Sequence, residues 1–255
     1  MPVPVELAPG VPTDYYQAIA GAEEAHWWHR GMRAISAALL GPRLAAGGRV
    51  LDAGCGTGGF LRFLVDSGGF TFAAGADIAS AAIALARERI PEADLRVAPL
   101  NRLPYADASF DVVVCNDVLQ HVPENDVAAS LGEMRRVLAR EGVLLLRTNG
   151  CRQLRRERAD WRAYDRASLV AALVDAGLVC ERVTYSNLLL SLWAAARGGG
   201  PKPPTEERHG IPQVDESAWK SALALRTLRF EARWLAHSQR TLPYGHTLFA
   251  VAGTS

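Results

Sequence analysis

Residues Val50–Gly58 read VLDAGCGTG, and this stretch decides the fold. The short apolar run Arg49–Asp52 has strand character and leads directly into glycines at 54, 56, 58 and 59. Glycine reaches left-handed backbone without steric cost and lets a ligand approach the main chain. Phe60–Ser67 then has helical spacing, so the free N–H groups of that helix open towards the turn. Strand, glycine turn and helix in this order begin a nucleoside-binding α/β unit. Gly54, Gly56 and Gly59 also satisfy G-x-G-x-x-G, so the loop alone does not separate a dinucleotide from another nucleoside ligand.

Working outward, strands and helices alternate. Phe70–Asp77 reads as a strand, and Ser80 caps a helix running to Arg89 and stopped by Pro91. Asp94–Ala98 is a third strand. Phe110–Asn116, FDVVVCN, is a continuous apolar run of the kind buried on both faces. Glu124–Ala139 is helical and Gly142–Thr148 is a strand. Asp165 caps a helix ending at Gly177, and Leu178–Tyr185 is a strand. The alternation predicts an α/β, doubly wound, Rossmann-like sheet of seven mostly parallel strands, the last antiparallel. Residues 1–255 read as a single domain with a cofactor-binding core at 48–185. An N-terminal lid helix is expected over 14–40, where Trp28, Met32, Ile35 and Leu39 form one apolar stripe. Regularity fails after Tyr185. Residues 186–243 are too long for a plain connection and read as a cap insertion, with GGGPKPP at 198–204 and a helix around Trp219–Leu235; the final strand is 244–252.

Composition excludes several classes. Lys+Arg is 28 against Asp+Glu 27, which leaves no global field to hold a nucleic-acid backbone. No apolar run approaches the length of a spanning helix, and residues 1–12 lack the pattern of a signal peptide. Cys55, Cys115, Cys151 and Cys180 show no metal-ligand spacing. A cytoplasmic protein with free thiols and no metal is therefore expected.

Two acids narrow the ligand. Asp52 ends the first strand just before the glycines, where a carboxylate suits an ammonium group and would repel a pyrophosphate. Asp77 ends the second strand, 21 residues after Gly56, in position to take both ribose hydroxyls. A ligand with an amino acid at one end and a ribose in the middle is S-adenosyl-L-methionine. The sequence then resembles the class I S-adenosylmethionine-dependent methyltransferases, in particular the small-molecule group called the methyltransferase 11 family. The matching stretches are VLDAGCGTG, GADIA (75–79), LPYADASFDVVVCNDVLQHV (103–122), MRRVLAREGVLLL (134–146) and YDRASLVAALVDAGL (164–178). HWWHRGMR (26–33) and LPYGHTLFAVA (242–252) resemble a subgroup with a helical cap. The resemblance implies that Asp52, Gly54, Cys55, Gly56 and Gly58 surround the methionine moiety. It implies that Asp77 holds the ribose, that Ile78 walls the adenine and that Asn116 ends the fourth strand in the site. Arg30 or Arg33 would hold the methionine carboxylate. Relatives carry Asp-Ala where Pro99 and Leu100 stand here, so the Leu100 N–H replaces an acid side chain at the adenine amino group.

His121 follows the fourth strand on the ligand-binding edge. It is the candidate catalytic residue, as a general base for an acceptor hydroxyl or amine; its plainer role is to shape the pocket floor. Trp27 and Trp28 read as helix packing rather than a face for the sulfonium. Seven arginines in Arg147–Arg166 read first as a solvated basic face, and would also suit an anionic small-molecule acceptor. Asn116-Asp117-Val118-Leu119 is not the Asn-Pro-Pro-Tyr type of base-methylating enzymes, which argues against nucleic acid. The rivals are an NAD-type oxidoreductase and a non-catalytic S-adenosylmethionine-binding or assembly module. The insertion is expected to wall the acceptor pocket, with a homodimer contact as the plainer alternative.

Overall fold

The computed structural model describes residues 13–67, 69–150, 162–196, 217–237 and 240–254. In chain order the elements are α1 (Thr13–Ala25), α2 (Trp27–Leu40), β1 (Arg49–Ala53), α3 (Gly59–Asp66), β2 (Phe72–Asp77), α4 (Ser80–Arg89), β3 (Asp94–Val97), β4 (Phe110–Asn116), α5 (Glu124–Val137), β5 (Leu138–Asn149), α6 (Arg166–Asp175), β6 (Val179–Ser186), α7 (Leu188–Ala196), α8 (Ala218–Leu235) and β7 (Thr247–Gly253). One seven-stranded sheet runs β3-β2-β1-β4-β5-β7-β6. β7 is antiparallel to both neighbours and the other pairings are parallel. The strand order reverses between β1 and β4, and that reversal opens a crevice at the carboxyl ends of the strands.

Neighbouring residues along the central strands serve opposite cores, which is why the middle of β4, Val112–Cys115, is apolar throughout. Val113, Cys115, Leu144 and Leu146 pack towards Leu131 and Met134 of α5 and Leu169 and Leu173 of α6. Val112, Val114, Val143 and Leu145 join Met32, Leu61, Ile83, Leu228 and Leu235 of α2, α3, α4 and α8. Asp165 caps α6 as expected, in a reciprocal box: its Oδ1 accepts from Ser168 N at 2.7 Å and its own N–H donates to Ser168 Oγ at 3.0 Å.

Ser80 begins α4 without capping it, β5 starts at Leu138 rather than Gly142, and three larger features depart from the sequence reading. The helix expected over 14–40 is two helices, broken at His26. His26 has extended backbone, and its Nδ1 accepts from Trp28 N at 3.2 Å, capping α2. The break lets α1 turn onto the glycine loop while α2 lies along α8. There Gly31 meets Leu228 so closely that an added Cβ would sit 2.1 Å from Leu228 Cδ1. The insertion also holds a second helix, α7. Finally, α8 is a layer of the core: Leu225, Leu228, Ala232 and Leu235 are buried on one face. GGGPKPP at 198–204, most of the Arg147–Arg166 segment and Cys151 lie outside the described residues.

Candidate active site

The glycine loop sits at the reversal point. Gly54 (φ +86°) and Gly56 (φ +53°) need left-handed backbone for different reasons. A Cβ on Gly54 would strike Val118 Cγ2 at 2.3 Å, so this glycine lets the loop pack on the segment after β4. A Cβ added at Gly56 would meet nothing within 4 Å, so that side of the loop is open to a ligand. Gly58 has φ +83° and precedes α3. The Cys55 thiol is buried, and burial with Asp52 and Asp77 nearby pushes its pKa well up.

Asp52 lies beneath this loop at 1% exposure, and its Oδ1 has no hydrogen-bond partner. Burial, followed by the negative charge of Glu23, raises its pKa to about 8; Arg147 opposes the rise. A buried carboxyl with an open acceptor oxygen is a site for a cationic hydrogen-bond donor. Asp77 ends β2: its Oδ2 accepts from Gly56 N and its Oδ1 from Ala79 N, both at 2.9 Å. It therefore holds the loop's shape while each oxygen keeps a second lone pair for a hydroxyl. Burial raises its pKa, and the bonds from Ala79, Gly56 and Ile78 offset part of the rise. Ile78 is 54% exposed, an apolar side chain standing beside Asp77. Leu100 is turned into the core, which leaves only its backbone available at the turn after β3. Asn116 ends β4 with both amide atoms buried and unpartnered.

The other predicted residues are placed differently. Arg33 reaches the loop, where its Nη2 donates to Gly59 O at 3.0 Å; Arg30 is exposed. His121 is exposed at the end of the short 3-10 turn Leu119–His121. Its neighbour Gln120 is the buried one: its Oε1 accepts from Thr148 Oγ1 at 3.0 Å and Asn149 N at 3.2 Å, tying this turn to β5.

Sequence reasoning did not bring the following residues to the site. Glu23 of α1 accepts from Thr57 Oγ1 at 2.5 Å and from Arg89 Nη1 at 2.6 Å. Arg89 also donates to Ala20 O at 2.8 Å and Thr57 O at 3.2 Å. This clamp seats α1 on the loop, and the pKa of Tyr16 on the same helix is raised, first by burial and then by the charge of nearby Asp77. Arg147, one residue of β5 opposite Asn116, is buried; its Nη2 meets Asp117 Oδ2 at 2.7 Å and its guanidinium covers the Trp28 ring at 5.1 Å. Burial, aided by Arg147, lowers the His29 pKa to about 3, so this imidazole stays neutral and is a poor proton acceptor. No sequence pattern pairs these residues, since each partnership crosses between elements. A separate cavity of about 770 Å³ opens between α5 and α6, lined by Glu124, Arg162, Tyr164 and Ser168 among others, and no glycine-loop residue lines it. Among the described residues no group of acids, histidines and cysteines is arranged to hold a metal ion.

These features fit S-adenosylmethionine: an orphaned buried carboxylate oxygen for an ammonium, an open glycine for close approach, a strand-end acid with spare lone pairs, and an exposed apolar wall beside it. Asp77→Ala is expected to weaken S-adenosylhomocysteine binding about 10- to 100-fold, since a charged hydrogen-bond acceptor is lost. The ligand-induced rise in Tm should shrink with it. Wild-type affinity by calorimetry would remove Asp77 from the ribose role.

Residues 51–146 match the family described as a methyltransferase domain. A probable S-adenosylmethionine-dependent methyltransferase of Mycolicibacterium smegmatis is 34% identical over 142 residues, covering 56% of this chain and 53% of the relative. A malonyl-[acyl-carrier protein] O-methyltransferase of Enterobacter lignolyticus is 34% identical over 139 residues, covering 54% of each. The chain thus spans about half the length of these curated relatives. Geranyl diphosphate C-methyltransferase from Streptomyces coelicolor, solved with Mg2+, geranyl diphosphate and S-adenosylhomocysteine, shares the fold with a TM-score of 0.58 at 14% identity, over 97% of this chain and 86% of that one. Residues 51–146, which hold the glycine loop and both acids, thus resemble S-adenosylmethionine-dependent methyltransferases in sequence, and solved methyltransferases share the fold.

Proposed function

We propose that the protein transfers a methyl group from S-adenosylmethionine to an oxygen, nitrogen or carbon nucleophile of a small-molecule acceptor in the cytoplasm. The observation that carries this reading is the orphaned Oδ1 of Asp52 beneath the open glycine loop. When bound, the cofactor supplies an activated methyl group for in-line displacement. Asp52 would take the ammonium, Asp77 the ribose hydroxyls, and Ile78 with the Leu100 backbone the adenine. Arg33, through Gly59, steadies the loop and lies on the side of the methionine carboxylate. α1, clamped by Glu23 and Arg89, covers the loop and excludes water. The chain's main contribution is alignment of the two reactants.

The acceptor side is framed by Asn116, Asp117, Arg147 and Trp28 at the carboxyl ends of β4 and β5 and the start of α2. The Arg147 guanidinium at this edge favours an acceptor bearing a carboxylate or phosphate. Malonyl-[acyl-carrier protein] O-methyltransferase and geranyl diphosphate C-methyltransferase are relatives named for anionic acceptors. The test is S-adenosylhomocysteine release across a small-molecule library weighted towards carboxylates and phosphates. No release above background with any member, despite tight S-adenosylhomocysteine binding, would favour a non-catalytic binding module.

His121 stands just after β4 on the same edge and is the proposed base for a protonated nucleophile. His121→Ala is expected to lower turnover about 100-fold at neutral pH, with S-adenosylhomocysteine affinity unchanged. The deficit should shrink at higher pH, where the acceptor ionises unaided. An unchanged rate at saturating acceptor would reduce His121 to a surface residue.

A further inference from the structure

The outward face of α8 has no part in the site described above. Trp219, Leu223, Phe230 and Trp234 are 66%, 55%, 56% and 41% exposed. At 3.6 residues per turn they fall within an arc of about 60°. The buried residues Ala224, Leu225, Leu228, Ala232 and Leu235 lie on the opposite side. The helix is thus apolar on two faces, and the packing on α2 accounts for only one.

Among the described residues, the charge along the exposed stripe of α8 is of one sign. Arg226, Arg233 and Arg229 follow one another along one edge of it, and Lys220 stands at its start; all four are exposed. The only acid of α8, Glu231, is buried and turned to α7, where its Oε2 accepts from Asn187 N at 2.8 Å. Lys220 Nζ lies 5.8 Å from the Trp219 ring centroid, and the Arg240 guanidinium lies 4.2 Å from that of Trp234. The cations therefore stand beside the rings. α7, held to α8 through Glu231, exposes Leu189, Leu192 and Trp193.

We propose that α8 docks the protein onto an anionic lipid bilayer, lying in the plane of the interface with Trp219, Leu223, Phe230 and Trp234 in the headgroup–acyl boundary. A helix with aromatic and leucine side chains on one face and arginines beside them has the composition of an interfacial anchor. Tryptophan settles at headgroup depth because its ring is amphipathic. Among the described residues no helix is long and apolar enough to cross a membrane, so the association is peripheral. A second copy of the chain suits the face poorly. A two-fold contact would set Arg226, Arg229 and Arg233 near their own mates, and α8 offers no exposed acid to pair with them. The inference does not depend on the acceptor's identity.

The test is co-sedimentation of the full chain with phosphatidylglycerol–phosphatidylcholine vesicles and with pure phosphatidylcholine vesicles. Binding to the anionic vesicles, weakened by salt and absent from the neutral ones, is expected, with a blue shift of tryptophan emission. A cation near an anionic surface contributes about fivefold in affinity, so R226Q/R229Q/R233Q should bind about 100-fold more weakly. W219S/L223S/F230S/W234S should lose binding altogether. Both variants change exposed side chains and should keep wild-type S-adenosylhomocysteine affinity, which separates this proposal from the cofactor reading. Wild-type binding by either variant, or no binding of the native chain to anionic vesicles at low salt, overturns the proposal. A concentration-dependent dimer that the apolar variant converts to monomer, without vesicle binding by the native chain, assigns the face to a second copy instead.

Discussion

Asp52→Asn is expected to weaken S-adenosylhomocysteine binding about 200-fold or more while making the ligand-free protein more stable at pH 8. The two effects have one cause. In the bound state the ammonium would lose its buried anionic partner, a loss of the order of 3–5 kcal/mol. In the free state the same carboxylate is a burial cost, which is why its pKa rises to about 8. The folded value stands above the unfolded one, so folding takes up a proton between about pH 4 and pH 8. Stability from this group is complete below pH 4 and is lost as the pH rises through 8. Cofactor binding runs the other way, because the ammonium requires the ionised acid. Affinity should rise by up to about tenfold per pH unit from pH 6 to pH 8, then level off. The Asn variant should flatten both profiles in calorimetry and thermal melts. A variant with wild-type affinity and an unchanged pH profile would show that Asp52 does not meet the ammonium.

Deleting residues 217–237 is expected to abolish cooperative folding, because α8 covers the sheet on the α2 side. Leu228 and Leu235 are fully buried there with Met32, Ile35, Phe249 and Val251. A graded version is Leu228→Ala, which should cost about 3 kcal/mol and lower the Tm by about 6–12 °C. The close seat of Leu228 on Gly31 leaves little room for collapse into the cavity. A deletion that melts cooperatively near the wild-type Tm and still binds S-adenosylhomocysteine would show α8 to be a removable cap. From sequence the segment reads only as a cap insertion, since its helix is apolar on several sides and its seat is not visible.

The α/β architecture, the β1–α3 glycine turn and the acids at positions 52 and 77 were all legible in the chain. They rest on local relations: period-two and period-3.6 patterns, a glycine turn after a short strand, and an acid at the end of each of two successive strands. FDVVVCN matches β4 to the residue for the same reason, since an element buried on both faces carries that fact in its own composition. The break at His26 was not legible, because either a straight or a bent helix satisfies the stripe of Trp28, Met32, Ile35 and Leu39. The bend follows from where α1 must go, and Glu23 draws it to Thr57 and Arg89, 34 and 66 residues away. Arg147 read as the edge of a basic segment until β5 set it beside Asp117 and Trp28. For α8 the helix itself was readable, but which of its two apolar faces is inside depends on Gly31, far along the chain. Periodicity and turn chemistry act over a few residues and so belong to the sequence; the site's lining and the inward face of α8 arise from contacts between distant segments, and only the tertiary structure decides them.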